Sequence, residues 1–286
     1  MDEGRPSMTA LSAAAARAAH PVADGTPVIF TDTVAARLLG GRADEMIGYH
    51  RTRGDHIILA GTRAITTVRA RYAEQRLAAH GQYVVLGAGL DTYAYRGDPG
   101  IRVFEVDHPA TQEWKRGLLA AAGIPVPEQV SFVPVDFETD DPFQKLAGTG
   151  TGTGIGPGFA PAETALVSWL GVSFFLTRDA VASTLDGIAR LAPGTELVLD
   201  YALPDGLRDA EGDAYARIAA QVVGENAEPY RSHFAPEEMD ALLKAHGLDV
   251  TENVPLERAV PPETWRRTDA LRPFDLFRLA RAVVPG

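Results

Sequence analysis

The chain contains no cysteine among its 286 residues. A protein without cysteine can form no disulfide bond, offers no thiolate ligand to a metal ion and has no cysteine nucleophile. Three kinds of site are therefore excluded before any motif is considered. We predict no metal site in this chain.

Long apolar runs are also missing. The longest, over residues 165–176, is shorter than the ~20 residues that a membrane-spanning helix requires. The alanine-rich start, Ala10–Ala19, is interrupted by Arg17 and preceded by Asp2 and Glu3, whereas a secretory signal has a basic start and an uninterrupted apolar run. The sequence therefore predicts a cytoplasmic protein without a membrane span.

Positive charge is scarce, because 27 Lys and Arg residues face 38 Asp and Glu residues, which gives a net charge of −11. Such a surface disfavours nucleic acids and anionic membranes as partners, since phosphate contacts need Lys and Arg. It favours a small or cationic partner. Basic residues do cluster between Arg63 and Arg76, and a solvated helix face explains that cluster about as well as a binding patch. The oligomeric state is left open.

Short runs rich in β-branched and other apolar residues alternate with segments of helical spacing. Strands are predicted at residues 83–86, 102–106, 130–135, 165–169, 196–199, 248–254 and 277–283, and the clearest helices at 109–122, 178–191 and 236–246. This alternation indicates a mainly parallel sheet with helices on both faces. Runs such as Val84–Leu86 suit strands that are buried on both sides. We predict an α/β, doubly wound fold with seven strands.

The organisation around this core can also be predicted. We expect residues 1–80 to form an N-terminal helical cover within the same domain as the α/β core of residues 81–286. The glycine-rich stretch Gly148–Gly158 is predicted to be a mobile surface loop, with a border of the active site as the alternative. Residues 202–235 are longer than a simple crossover. Together with the N-terminal helices they are the candidate cover of the substrate.

Gly87, Ala88 and Gly89 directly follow the first predicted strand. Glycines at a strand-to-helix turn let the backbone approach a ligand closely, although tight turns use the same pattern without a ligand. The second strand ends at Asp107, about twenty residues further on, where a carboxylate can accept hydrogen bonds from ribose hydroxyls. A helix N-cap before Pro109 is the alternative role of Asp107. Together these features favour a nucleotide-cofactor site.

NAD and S-adenosylmethionine both use such a loop, and the residues after the second glycine distinguish them. The dinucleotide fingerprint has a third glycine or alanine where the pyrophosphate meets the helix. This chain has Thr92 at that position, preceded by Asp91. A carboxylate beside a pyrophosphate is unfavourable, whereas S-adenosylmethionine has no phosphate and carries an ammonium and a sulfonium. The sequence therefore favours S-adenosylmethionine.

The string Val84–Thr92 (Val-Val-Leu-Gly-Ala-Gly-Leu-Asp-Thr), followed by Tyr95-Arg96 and by Phe104–Pro109 with Lys115, resembles the leucine carboxyl methyltransferase family. The bacterial branch of that family includes polyketide-tailoring carboxyl methyltransferases. The likeness runs from about residue 28 to the C-terminus. Further similar pieces are Phe30–Leu39, Arg69–Tyr72, Val135–Phe137, Trp169–Val172 and Leu199–Tyr201.

The resemblance implies roles at the methionine end of the cofactor. Arg69 would hold the methionine carboxylate with its forked donors. Gly87, Ala88 and Gly89 would pass beneath the methionine and ribose portions. Without the resemblance, Arg69 would be interpreted as a surface arginine.

The resemblance also implies roles at the nucleoside end. Asp107 would accept hydrogen bonds from the ribose hydroxyls. Asp136, at the end of the third strand, would accept from the adenine amino group, and Phe137 would supply backbone and apolar contact. Without the resemblance, a helix cap explains Asp136 as well as a binding role does.

Two positions depart from the eukaryotic members of the family. Leu170 stands where those members have a glutamate before Gly-Val, and Phe175 stands where they have a tyrosine before leucine. These differences argue against methyl transfer to the C-terminal leucine of a protein.

The sequence thus predicts an S-adenosylmethionine-dependent O-methyltransferase that acts on a carboxylate or hydroxyl of a small natural product or modified peptide. A carboxylate acceptor needs no general base, whereas a phenol or alcohol usually does. His233 and His108 are candidates for a base and Tyr201 for an orienting group, and the catalytic residue is left unassigned. The alternatives are a nicotinamide-dependent oxidoreductase and a non-catalytic protein that binds the cofactor and acts as a partner.

Overall fold

The computed structural model describes residues 8–149, 157–223 and 229–286. Within these ranges four α-helices precede the first strand, and strands and helices then follow one another along the chain. The helices are α1 Met8–Ala23, α2 Ala35–Leu38, α3 Ala43–Thr52, α4 Ile57–Glu74, α5 Pro109–Ala121, α6 Pro142–Ala147, α7 Arg178–Ala189, α8 Ala210–Val223 and α9 Pro236–Ala245. The strands are β1 Gln82–Leu86, β2 Arg102–Asp107, β3 Val130–Pro134, β4 Leu166–Trp169, β5 Glu196–Ala202, β6 Asp249–Pro255 and β7 Phe277–Val283.

The strands form one sheet in the order β3-β2-β1-β4-β5-β7-β6. The pairs β1–β2, β1–β4, β2–β3 and β4–β5 are parallel, and β7 runs antiparallel to β5 and β6. The seven predicted strands and the mainly parallel sheet are therefore confirmed. Strand β5 continues to Ala202 rather than ending at Leu199, because Asp200, Tyr201 and Ala202 pair with β7.

Helices cover both faces of the sheet, as a doubly wound fold requires. In β1, Val84 and Leu86 pack into the cluster that contains α6, α7 and α9, while Tyr83 and Val85 pack toward α4 and α8. Successive side chains of a strand point to opposite faces, so this alternation places apolar groups on both sides. The chain order reverses at β1, whose neighbours are β2 and β4. Ligands bind at such switch points, outside the carboxyl ends of the strands.

Arg63, the first residue of the basic cluster between Arg63 and Arg76, does not lie on a solvated helix face. Arg63 of α4 is 1% exposed and donates two hydrogen bonds to Asp24, at 2.7 and 2.8 Å. Its Nη1 lies 3.0 Å from Nδ1 of His50. A buried arginine needs this pairing, because an uncompensated buried charge is costly. The network joins α1, α3 and α4 beneath the surface.

Parts of the two predicted loops fall outside the described residues. These parts are residues 150–156 of the glycine-rich stretch and residues 224–228 of the predicted substrate cover. In the described ranges, no helix combines the length and the apolar character that crossing a bilayer requires.

Candidate active site

A cavity of about 490 Å³ lies at the carboxyl ends of β1 to β4. Its volume is within the ~300–1,000 Å³ of typical small-molecule sites. The residues predicted to contact the cofactor all line it: Arg69, Gly87, Ala88, Gly89, Asp107, Asp136 and Phe137. The fold thus brings together residues from α4, from the end of β2 and from the loops after β1 and β3.

Gly87 forms the floor of the cavity where β1 ends. Its φ of +67° is the left-handed conformation that favours glycine. A Cβ atom at this position would come within 2.2 Å of Cγ2 of Val172. The backbone N–H groups of Gly87 and Ala88 both donate to the carbonyl of Val106, at 2.7 and 3.1 Å. The loop is therefore tied to the end of β2 and to the segment after β4.

Asp107 lies at the end of β2 and is 7% exposed. Its Oδ2 accepts a hydrogen bond from Gly89 N at 2.5 Å, and its Oδ1 accepts from His108 N at 2.6 Å. Burial raises the pKa of the Asp107 carboxyl, and these two N–H donors oppose that rise. The N-cap of α5 is His108, whose ring accepts from Ala110 N. Asp107 is thus not the helix cap.

Asp136 and Phe137 follow β3. Oδ1 of Asp136 accepts from Glu138 N at 3.0 Å and closes a turn. The next helix, α6, is capped by Asp141. The helix-cap interpretation of Asp136 is therefore wrong. The Asp136 carboxylate lines the cavity beside the buried ring of Phe137.

Arg69 reaches the cavity from α4, where its side chain is 15% exposed. Its Nη1 donates to Oδ2 of Asp200 at 3.0 Å, and Oδ1 of Asp200 accepts from Gly171 N at 2.6 Å. Gly171 has φ +76°, and a Cβ there would lie 2.6 Å from Nη2 of Arg69. This glycine therefore allows the guanidinium to pass close under the loop after β4.

Helix α1 forms a wall of the cavity through contacts that the sequence did not predict. Arg17 donates from Nε to Asp32 at 2.9 Å and from Nη2 to the carbonyl of Leu90 at 2.7 Å. Thr92 donates to the same Asp32 carboxylate at 2.7 Å. These contacts fix α1 against the glycine loop, where Ala10 also lines the cavity. The alanine-rich start was the available signal, because small side chains let a helix approach a loop closely.

The structure does not bring the three candidates for a base or orienting group into this cavity. Tyr201 is buried in the core on the α6, α7 and α9 face, where its hydroxyl donates to Asn253 at 2.7 Å. Burial raises its pKa to about 12. His233 does not line the cavity and lies against Tyr230. Because strand side chains alternate, β5 points Asp200 toward Arg69 and Tyr201 away from it.

Comparison with known proteins agrees with this geometry. Solved structures with the same fold include a protein of Thermobifida fusca provisionally named a methyltransferase (TM-score 0.58, 17% identity, 100% of this chain and 97% of that one). A DUF574 family protein of Streptomyces avermitilis is also similar (TM-score 0.57, 18% identity, 88% and 97%). At these identities the likeness concerns the fold alone, which is that of the α/β methyltransferases.

Sequence comparison gives the family. The profile of the leucine carboxyl methyltransferase family matches residues 10–189. YktD of Bacillus subtilis, provisionally named an S-adenosyl-L-methionine-dependent methyltransferase, is 30% identical over 99% of both chains. This chain belongs to the leucine carboxyl methyltransferase family. It is an S-adenosylmethionine-dependent methyltransferase, and the nicotinamide alternative is wrong.

Proposed function

We propose that this chain transfers a methyl group from S-adenosylmethionine to a carboxylate or hydroxyl oxygen of a small natural product or modified peptide. The observation that carries the proposal is an apolar wall beside the glycine loop. It consists of Leu170, Val172, Phe175 and Leu176, which line the cavity after β4. Val172 lies directly against Gly87, so the wall adjoins the floor of the cavity. An apolar wall suits the body of a small organic acceptor.

The lining of the cavity fits the cofactor. Each oxygen of Asp107 accepts one backbone N–H, and a carboxylate oxygen can accept about two hydrogen bonds. Asp107 therefore retains acceptor capacity for the ribose hydroxyls. Asp136 and Phe137 would hold the adenine, and Arg69 the methionine carboxylate. When bound, S-adenosylmethionine supplies an electrophilic methyl group.

A carboxylate acceptor fits the lining better than a phenol or alcohol. Among the cavity residues that the structure describes there is no histidine. Tyr83 accepts a hydrogen bond from Ser168 at 2.9 Å, and burial raises its pKa well above the usual range. A carboxylate has no proton to lose at neutral pH, so it requires no base. The protein then mainly aligns the acceptor and excludes water, which can recover ~7–11 kcal/mol of the barrier.

Two segments would cover the acceptor. Thr9 and Ala10 of the N-terminal helical region line the cavity, as do Pro229 and Arg231 of the segment 202–235. These residues approach the cavity from outside the sheet. We propose that both segments determine which acceptor enters, because loops over a rigid core commonly carry specificity.

A turnover measurement distinguishes this proposed methyl transfer from the alternative, a protein that binds the cofactor without catalysis. Purified protein would be incubated with S-adenosylmethionine and panels of carboxylic acids, phenols and alcohols, and S-adenosylhomocysteine would be measured by mass spectrometry. We expect S-adenosylhomocysteine to form with one or more of the carboxylic acids. The rate of its formation should fall at least tenfold in Arg69→Ala. Turnover with phenols alone would contradict the preference for a carboxylate. Cofactor binding without turnover on any panel would favour the partner role.

A further inference from the structure

Asp91 is a carboxylate in the wall of the cavity, just past the glycine loop. Its Oδ1 accepts a hydrogen bond from Tyr93 N at 2.8 Å, and its own N–H donates to the carbonyl of Ala88 at 2.7 Å. The turn therefore fixes the position of the side chain. Over the ranges that the structure describes, no hydrogen bond or ion pair engages Oδ2.

The other ionic residues of the cavity have an ion-pair partner or a role in the proposed nucleoside site. Asp107 and Asp136 are the carboxylates that the proposed function assigns to the ribose and the adenine. Three ion pairs account for the others: Arg17 with Asp32 at 2.9 Å, Glu74 with Arg96, and Glu138 with Arg231 at 2.8 Å. Among the cavity residues that the structure describes, two charged groups then remain for the amino-acid end of the cofactor. These are the guanidinium of Arg69, held at one nitrogen by Asp200, and the carboxylate of Asp91.

An amino-acid moiety is a zwitterion, so its binding site needs one cation and one anion. We propose that Asp91 binds the ammonium group of the cofactor's methionine moiety while Arg69 holds the carboxylate. The inference rests on the proposed placement of that moiety above the Gly87–Gly89 loop. It assigns Asp91 a binding role that complements the cation on α4.

The charge balance around Asp91 supports this assignment. Asp32 and Glu74 form ion pairs with Arg17 and Arg96, and the Asp91 carboxylate lies near Arg96 without pairing. These five side chains therefore carry one negative charge in excess. Burial raises the pKa of Glu74, and the neighbouring charge of Asp91 adds to the rise. A cation beside Asp91 relieves that like-charge repulsion. A pyrophosphate at the same place would increase it.

Calorimetric titration of the full chain tests the assignment with two ligands. One is S-adenosylhomocysteine, and the other is its analogue in which hydrogen replaces the amino group. Asp91→Asn keeps an oxygen for Tyr93 N and removes the charge. The control is Asp98→Asn, because exposed Asp98 accepts from Gly100 N at 2.8 Å in a similar turn outside the cavity.

We expect Asp91→Asn to bind S-adenosylhomocysteine about tenfold more weakly than wild type, the scale of one hydrogen bond to a charged group. It should bind the deaminated analogue as wild type does, and Asp98→Asn should match wild type with both ligands. Equal losses for both ligands, or no loss for S-adenosylhomocysteine, would overturn the assignment while leaving the cofactor site intact. A wild-type protein that binds neither ligand would overturn the proposed site itself.

Discussion

Arg69 of α4 and Asp200 of β5 are 131 positions apart in the sequence and meet in an ion pair of 3.0 Å between Nη1 and Oδ2. Asp200 is 2% exposed. Burial raises the pKa of its carboxyl, and the Arg69 charge opposes that rise. The pair connects the N-terminal helices to the sheet at the edge of the cavity. It also fixes one end of a guanidinium whose other nitrogens have no partner among the described residues.

Replacing Asp200 with asparagine should weaken the binding of the cofactor through its methionine carboxylate. The variant loses the charge that holds Arg69, so S-adenosylhomocysteine should bind about 1–3 kcal/mol more weakly. An analogue without the carboxylate should bind as it does to wild type. Calorimetric titration with both ligands makes the comparison. Equal losses for the two would mean that Asp200 acts on the fold rather than on Arg69.

Gly171→Ala should impair the same contact by a steric route. A Cβ at Gly171 would lie 2.6 Å from Nη2 of Arg69, so the guanidinium must move. The matched control is Gly206→Ala, since Gly206 has φ +84° and no atom within 4 Å of the added Cβ. Both variants should lose about 1–3 kcal/mol of stability from backbone strain. Only Gly171→Ala should bind S-adenosylhomocysteine more weakly, and equal affinities in the two variants would refute the steric route.

The stability of the N-terminal helices should depend on pH through His50. Burial and the nearby Arg63 charge lower the pKa of His50 to about 4. Below its ordinary pKa of 6.5, the unfolded chain therefore takes up a proton that the folded chain does not. Unfolding should become easier as the pH falls, by about 2 kcal/mol between pH 7 and pH 5.

His50→Asn tests that linkage, because asparagine can still accept from Arg63 and does not titrate. Urea unfolding followed by circular dichroism at pH 7 and pH 5 gives the two free energies for each protein. The variant should lose less stability on acidification than wild type. The same pH dependence in both proteins would assign it to other groups.

The elements that sequence reasoning found are those encoded locally. The strand before Gly87 and the acidic residue at the end of β2 can be predicted from the residues next to them. The position of the cofactor loop therefore follows from local sequence patterns. Arg69 lies on a helix whose spacing does not reveal what its side chain meets. Its partner Asp200 lies past the predicted end of β5 at Leu199. Since that strand continues along β7, its alternation points Asp200 into the site and Tyr201 into the core.

The contacts of α1 were beyond sequence reasoning for a related reason. Its residues Ala10 and Arg17 reach the cavity because Arg17 pairs with Asp32, which also holds Thr92 of the loop. In the sequence alone, nothing distinguishes any of these residues from an ordinary residue of a helix or loop. Only their meeting in three dimensions makes α1 a wall of the site.

Titration with S-adenosylmethionine and with NADH, in wild type and in Asp107→Ala, tests the central claim most directly. Wild type should bind S-adenosylmethionine and not NADH. A folded Asp107→Ala variant should bind it more weakly by more than ~1 kcal/mol, since it lacks the carboxylate proposed to accept the ribose hydroxyls. Unchanged affinity in that variant, or binding of NADH alone by wild type, would contradict the account.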